Sequence, residues 1–376
     1  MIPSLPDGVP SGLGTSELLA LFDGMVRVRE AEERLEILFR QGHVGGGVYR
    51  ALGQEAGPVG AAFALRRRSD GTGDVLAHTV RAAGAVFLFG GTPLEFFRQY
   101  MARATGPTRG REANVHWADF KRGLLGPVSP LGTMVEVMSG VTLSFRMRGE
   151  PRVGIVFYGD GASSTGAWHE GLGFAASQGC PLLLMVEANG YAFSTPTRMQ
   201  TRVASFADKA PAYGVHGVSV DGNDVLDVYA AVRDAAARAR DGGGPQLIEL
   251  RTFRRKGHAQ HDAQEYVDAA EILAWEGRDP IDRYRDRLTA GGWATTRELA
   301  DRRDEIHHEI RAAAERAIDE PLPSGPEALL DVYTDFQVPA PWTRFPEPTP
   351  DQPSRLAVRG NDAVTPLHPM PGPLSP

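Results

Sequence analysis

A single cysteine, Cys180, in 376 residues excludes an intrachain disulfide framework and points to a reducing compartment, the cytoplasm being the simplest. Positive charge is not in excess: 40 Lys and Arg stand against 47 Asp and Glu, a net charge of -7. A dedicated nucleic-acid binder would carry a basic footprint, so that class is set aside. No apolar run approaches the 18 residues that a membrane span needs. Residues Met1 to Gly14 contain three prolines and an acid, without a basic leader, and read as an extended N-terminal arm rather than a targeting peptide. What the chain does have is apolar content, 42% of residues, enough for a sizeable core.

Strand and helix patterns alternate through the middle of the chain. Val153–Tyr158, Leu182–Val186, Val215–Val220 and Gln246–Phe253 are short apolar runs rich in β-branched residues, as expected of buried parallel strands. Between them, Ala167–Gln178 reads as a helix stopped by Gly179, and Asp224 caps a helix running to Arg240 with Asp227 in its first turn. The predicted fold is α/β, a mainly parallel sheet flanked by helices. A first helix is expected from an N-cap near Ser16 to a stop at Gly42. The stretch from Val44 to Gly149 mixes glycine-rich turns with short apolar segments and yields no firm elements. From about residue 265 the pattern turns helical, with Pro280 at a first-turn position and a Thr295/Glu298 capping box. One domain over 15–335 and a proline-rich, extended tail over 336–376 complete the expectation; 11 of the 28 prolines fall in that tail.

The chemistry concentrates at two strand ends. Gly159-Asp160-Gly161 follows the first buried strand, and Glu187-Ala188-Asn189-Gly190-Tyr191 ends the next. In an open parallel sheet, ligands bind beyond the carboxyl ends of the strands. Asp160 offers a carboxylate oxygen, Asn189 an amide oxygen, and the backbone at Tyr191 a carbonyl. These are hard ligands suited to Mg²⁺, which takes further oxygens from phosphates and water. Gly159 and Gly161 let backbone N–H groups approach a phosphate, and the following helix is expected to aim its N-terminus there. A lone Gly-Asp-Gly is usually only a turn. The pairing with Asn189 one crossover later is what makes a Mg²⁺-diphosphate site the better reading.

These two segments resemble the thiamine diphosphate motif in the alpha subunit of the thiamine-dependent decarboxylase component of 2-oxo acid dehydrogenase complexes. The resemblance extends from about Met25 to Tyr333 through Gly53-Gln-Glu-Ala56, Arg81-Ala-Ala-Gly84, Ser129-Pro-Leu-Gly-Thr133, Ser194-Thr-Pro-Thr197, Val220-Asp-Gly-Asn-Asp-Val225, Gly257-His258 and Asp279-Pro-Ile281. It implies that Asp160, Asn189 and the Tyr191 carbonyl hold Mg²⁺, and that Gly161 and Ala162 present backbone to the diphosphate of thiamine diphosphate. By the same resemblance Arg81 pairs with the diphosphate charge, Ser129 and Leu131 line the thiamine pocket, and His258 stands over the reacting centre.

The implied activity is oxidative decarboxylation of a 2-oxo acid with reductive acylation of a lipoyl group. The implied partners are a beta subunit, in an α₂β₂ tetramer, and a lipoyl acyltransferase. The branched-chain type is favoured by Arg81-Ala-Ala-Gly84, Val115-His116, Ser129-Pro-Leu-Gly-Thr133 and Ser194-Thr-Pro-Thr197. Pyruvate and acetoin types are the alternatives, as is a non-catalytic paralogue. A monovalent cation near Pro130 and Thr133 belongs to the branched-chain expectation, although Met134 replaces a polar ligand. The chain departs from the family pattern at Ala188, Val80 and Ala259, which stand where a first Asn, an aromatic or His, and a regulatory Ser are usual. His307-His308 and Asp70-Gly-Thr-Gly-Asp74 read as a solvated helix face and a surface turn, and Cys180 as a small buried hydrophobe.

Overall fold

The computed structural model describes residues 9–329; the proline-rich tail and the predicted boundary near 335 lie outside them. Residues 9–325 form one compact unit. Eight strands occur among the described residues: β1 (Val75–Ala77), β2 (Leu124–Leu125), β3 (Gly154–Gly159), β4 (Leu182–Ala188), β5 (Tyr191–Ala192), β6 (Thr195–Pro196), β7 (His216–Asp221) and β8 (Gln246–Arg251). Six form a parallel sheet in the order β2-β1-β3-β4-β8-β7, while β5 and β6 make a two-residue hairpin just past β4.

The strands are apolar on both faces because both faces are covered. Along β3, Ile155 and Phe157 pack against α2 (Ala56–Phe63) and α8 (Val225–Arg240), through Ala61, Ala62, Val228 and Val232. Val156 and Tyr158 point the other way, toward α5 (Thr133–Met147) and α6 (Gly166–Ser177), through Val135, Met138, Trp168 and Leu172. Period-two alternation sends neighbours to opposite layers, so a doubly covered strand reads as a continuous apolar run. A further layer contains α1 (Thr15–Arg40), α4 (Pro93–Tyr100), α10 (Pro280–Ala290) and α11 (Thr296–Ile318). Val9 and Leu13, at the end of the N-terminal arm, are buried in it.

The four predicted strands appear, with ends shifted by a residue or two. The capping box at Thr295 forms, with Glu298 N donating to Thr295 Oγ1 (3.2 Å) and Thr295 N to Glu298 Oε2 (2.7 Å). The start of α1 differs from expectation. Gly14, not Ser16, is its N-cap, because Glu17 reaches back to accept from Gly14 N (3.0 Å) and also takes the Ser16 hydroxyl. Within 44–149 the structure adds β1, β2, α2, α3 (Ala83–Leu88), α4 and α5. β1 and β2 are too short to show a period. In α5 the buried stripe contains Ser139 and Thr142, which interrupt the apolar spacing; their hydroxyls bond back to Val135 and Met138 carbonyls (2.7 Å each) and so bury without loss.

One ionic brace ties the layers together. Arg29 of α1 donates to Glu55 (2.5 Å) and to Asp279 (2.9 Å), and Arg255 donates to Asp279 (2.7 Å). Asp279 also caps α10 through the N–H groups of Ile281 and Asp282. Burial alone would raise the Asp279 carboxyl; Arg29 and these N–H bonds outweigh it and hold the group below its ordinary range. The Gly53-Gln-Glu-Ala56 and Asp279-Pro-Ile281 motifs are therefore two ends of a structural joint.

Candidate active site

The connection after β1 runs outward to β2, while that after β3 runs inward to β4, so the sheet order reverses between β1 and β3. A cavity of about 670 Å³ opens at that reversal, beyond the carboxyl ends of the strands. Every residue that the sequence assigns to thiamine diphosphate and Mg²⁺ lines it: Arg81, Ser129, Leu131, Gly159, Asp160, Gly161, Ala162, Asn189, Tyr191 and His258; Thr133 of the monovalent-cation expectation does not. Positions spread over 178 residues of chain are brought together by five elements. Arg81 follows β1, Ser129 and Leu131 precede α5, the Gly159–Ala162 turn ends β3, Asn189 and Tyr191 follow β4, and His258 follows β8.

Asp160 is 2% exposed, and burial pushes its carboxyl above the usual range. Its Oδ1 accepts from Gly161 N (2.7 Å), and its Oδ2 from Thr197 Oγ1 (3.2 Å) and Gln200 Nε2 (3.4 Å). Asn189 is 4% exposed, and its Oδ1 has no hydrogen-bond partner. A buried carbonyl oxygen without a donor costs about 1–3 kcal/mol, so it calls for a cation or a donor to meet it. No group of three His, Cys, Asp or Glu suited to a metal occurs among the described residues. One carboxylate, one amide oxygen and a backbone carbonyl instead make a hard, low-charge donor set. That set fits Mg²⁺ shared with an anionic ligand and does not fit a soft metal.

Two details of this turn differ from expectation. The segment after Gly159 is a 3₁₀ turn, Asp160–Ser164, and α6 begins only at Gly166 with Thr165 as its cap. The N-terminus of α6 is thus one turn removed from the Asp160 backbone. Gly161 is required sterically, because a Cβ there would stand 2.6 Å from the Ala192 Cβ. Its N–H is engaged by Asp160 Oδ1.

The anion side is built by two guanidinium groups. Arg81 donates to the His258 carbonyl (2.5 Å), and its Nε is buried without a partner. Burial, then the charge of Arg254, pulls its pKa down to about 10. Arg254 is fully buried and donates to the carbonyls of Phe193 (2.8 Å) and Lys256 (3.1 Å) and to the Tyr266 hydroxyl (2.5 Å). Neither has a carboxylate partner among the described residues. Two buried cations with neutral partners leave a positive field for a multiply charged anion.

His258 lies between them. Its Nδ1 is 3.5 Å from Arg254 Nη1, its ring meets Tyr49 edge-on at 5.4 Å and Phe193 at 4.6 Å, and its N–H donates to Asp262 (2.6 Å). Burial, then Arg81 and Arg254, pushes the imidazole down to about 4. The imidazole is therefore neutral at physiological pH.

Arg254, Tyr49, Glu187, Thr197 and Gln200 also belong to the site and escape sequence reasoning. Arg254 hides in an Arg-Arg-Lys run, although its place just past β8 marks it in retrospect. Glu187 is a buried carboxylate at the end of β4, accepting from Thr79 Oγ1 (2.9 Å). The background features behave as expected in part: Asp70 makes a turn with Thr72, and Cys180 is buried. His307 does more than face solvent, bonding the buried Glu30 of α1 (2.8 Å).

The fold and site define an α/β protein with buried oxygen donors and two buried guanidinium groups around one cavity at a sheet reversal. The family model for the dehydrogenase E1 component matches residues 23–325, and the chain belongs to that family. It is 35% identical over 337 residues to the alpha subunit of acetoin:2,6-dichlorophenolindophenol oxidoreductase from Cupriavidus necator, covering 88% of this chain and 98% of that one. It is also 35% identical over 322 residues to the 2-oxoisovalerate dehydrogenase alpha subunit of Bacillus subtilis, covering 85% and 96%. Against the pyruvate dehydrogenase E1 alpha subunit of Rhizobium meliloti identity is 29% over 319 residues, covering 85% and 89%. No helix among the described residues is long and apolar enough to cross a membrane.

Proposed function

We propose that this chain is the alpha-type subunit of a thiamine-diphosphate-dependent 2-oxo acid dehydrogenase, acting with a beta-type chain and delivering acyl groups to a lipoyl acyltransferase. The observation that carries it is the meeting of Asp160 and the unpartnered Asn189 oxygen with two carboxylate-free guanidinium groups in one cavity. Asp160, Asn189 and the Tyr191 carbonyl would hold Mg²⁺, while Arg81 and the backbone at Ala162 would meet the diphosphate; the Gly161 N–H would have to leave Asp160 Oδ1 to join them. Ser129 and Leu131 would line the thiamine side. Thiamine diphosphate, when bound, supplies the electron sink that lets the carboxyl group of a 2-oxo acid leave as CO₂.

His258 would hold a proton at Nε2, since Nδ1 faces Arg254. Free of ligand, the two guanidinium groups help keep it neutral; a bound anion offsets them and raises its proton affinity. Phe193 and Tyr49 pack against the imidazole ring. Leu131 and Phe193 are 64% and 54% exposed at the cavity mouth, an apolar rim that a beta-type chain would cover.

The branched-chain 2-oxo acid remains the first substrate to assay, on the motifs that favour it. The acetoin reading is supported by the Cupriavidus relative, which matches over 98% of its length at the same identity. The monovalent cation would sit at the start of α5, near Pro130 and Thr133. Reconstitution with a beta-type chain, assayed on 2-oxoisovalerate, pyruvate and acetoin, tests the reading. Activity on one of these with both chains, and none from this chain alone, is expected; turnover by the isolated chain would overturn the partnership.

A further inference from the structure

Gln200 closes the short helix α7 (Thr197–Gln200) and reaches back over the Asp160 turn. Its Nε2 donates to the Thr195 carbonyl (2.9 Å) and to Asp160 Oδ2 (3.4 Å). Both partners are acceptors, so the amide orientation is fixed: the nitrogen faces them and the oxygen faces away. That oxygen, Oε1, is buried and has no partner. A Cβ placed on Gly161 would stand 3.9 Å from it, so Oε1 overhangs the same turn that carries Asp160. An unpaired acceptor in this position is repelled by a phosphate oxygen and needs a donor instead.

We propose that Gln200 belongs to the outer shell of the metal site, its Oε1 accepting from a water bound to the Mg²⁺ while its Nε2 aims Asp160 Oδ2. The inference rests on the metal and diphosphate reading above. Mg²⁺ dehydrates reluctantly and keeps water beside its carboxylate and phosphate ligands, and such a water is a strong donor. Direct ligation by Oε1 is disfavoured, because the amide nitrogen already faces the carboxylate that would bind the ion. The two orphaned amide oxygens beside Asp160 thus take different parts: Asn189 Oδ1 meets the cation, and Gln200 Oε1 meets its water. Gln200 is a positioning residue and touches no reacting atom.

The test uses the full chain assembled with its beta-type partner and saturating thiamine diphosphate. Mg²⁺ is titrated by calorimetry into wild type, Gln200→Leu and Gln200→Met. Expected is a roughly 10- to 100-fold loss of Mg²⁺ affinity in both variants, the usual effect of removing an outer-shell partner. The metal-free melting temperature of both variants should not fall. Mn²⁺ in place of Mg²⁺ should show altered relaxation of its bound water in the variants. Wild-type Mg²⁺ affinity in stable variants would overturn the inference, and so would a lowered melting temperature with unchanged affinity, which marks a structural role. Failure of wild type to bind Mg²⁺ with thiamine diphosphate would instead sink the underlying reading.

Discussion

Arg254 and Arg255 are consecutive, yet they enter two buried clusters of opposite character. Arg255 joins the brace with Arg29, Glu55 and Asp279, where each charge has a charged partner at hydrogen-bond distance. Arg254 joins the cavity cluster with Arg81, Asp160 and Asn189, where the cations have only neutral partners and an amide oxygen has none. The first cluster is satisfied by the fold itself. The second keeps unmet charge and unmet acceptors after folding, which the proposed cation and diphosphate would meet. Buried ionic groups therefore do not carry one meaning: completeness of pairing separates a joint from a site.

The sharpest way to break that comparison is at Asp160. Asp160→Ala should abolish Mg²⁺-dependent binding of thiamine diphosphate in the assembled protein, as calorimetry would register; unchanged affinity would remove Asp160 from the metal site. Asp160→Asn should leave the ligand-free fold as stable as wild type or more so. The carboxyl is raised in the folded state, so its charged form is a cost at neutral pH that the amide does not incur. A clear drop in the melting temperature of the ligand-free protein would show that Asp160 is structural.

The brace should respond in the opposite sense. Arg29→Met leaves the buried Glu55 carboxylate without its cation and takes one of two from Asp279, and should cost about 3–5 kcal/mol in chemical unfolding. A loss below 1 kcal/mol would mean that the joint is ornamental. Turnover separates the histidine from the arginine inside the site. His258→Ala should lower the turnover number roughly 10²–10⁴-fold, the range of a positioned proton carrier, with little change in cofactor affinity. Arg81→Ala should do the reverse, and more so because Val80 offers no polar substitute. Near-normal turnover of His258→Ala at saturating cofactor would make that residue structural.

The smallest effect is the pH response of the empty site. His258 and the buried His78 are both pushed down to about 4, burial being the leading cause for each, from an ordinary value near 6.5. Between these values the unfolded chain binds more protons, so stability should fall as pH drops from about 6.5 to about 4. The imidazole resonances of the ligand-free protein should titrate near 4, and that of His258 should move up on adding thiamine diphosphate. An ordinary titration of His258 near 6.5 in the free protein would show that neither burial nor the guanidinium groups act on the ring.

Parts of this molecule were legible because local rules suffice for them. β3, β4 and β8 are buried on both faces and show as apolar runs; the Asp224 and Thr295 caps announce their helices. The paired strand ends disclose Asp160 and Asn189. The short β1 and β2 are not legible, since three and two residues have no period, and α5 is masked by hydroxyl residues bonded to its own backbone. Gln200 and Arg254 were equally hidden, because no local pattern tells an amide or a guanidinium what it will meet.

The amino-acid order by itself determined the parallel α/β frame and the oxygen donors at the ends of β3 and β4. Those properties depend on period, on caps and on the rule that open parallel sheets bind beyond their carboxyl ends. Only the tertiary structure decided which charges are paired and which are left over. Pairing depends on distances between segments far apart in the chain, as with Arg29 and Asp279, 250 positions apart, and on burial that removes water as the alternative partner. Burial beside two unpaired guanidinium groups is also what makes His258 a neutral imidazole, a state that no reading of Gly257-His258 alone could supply.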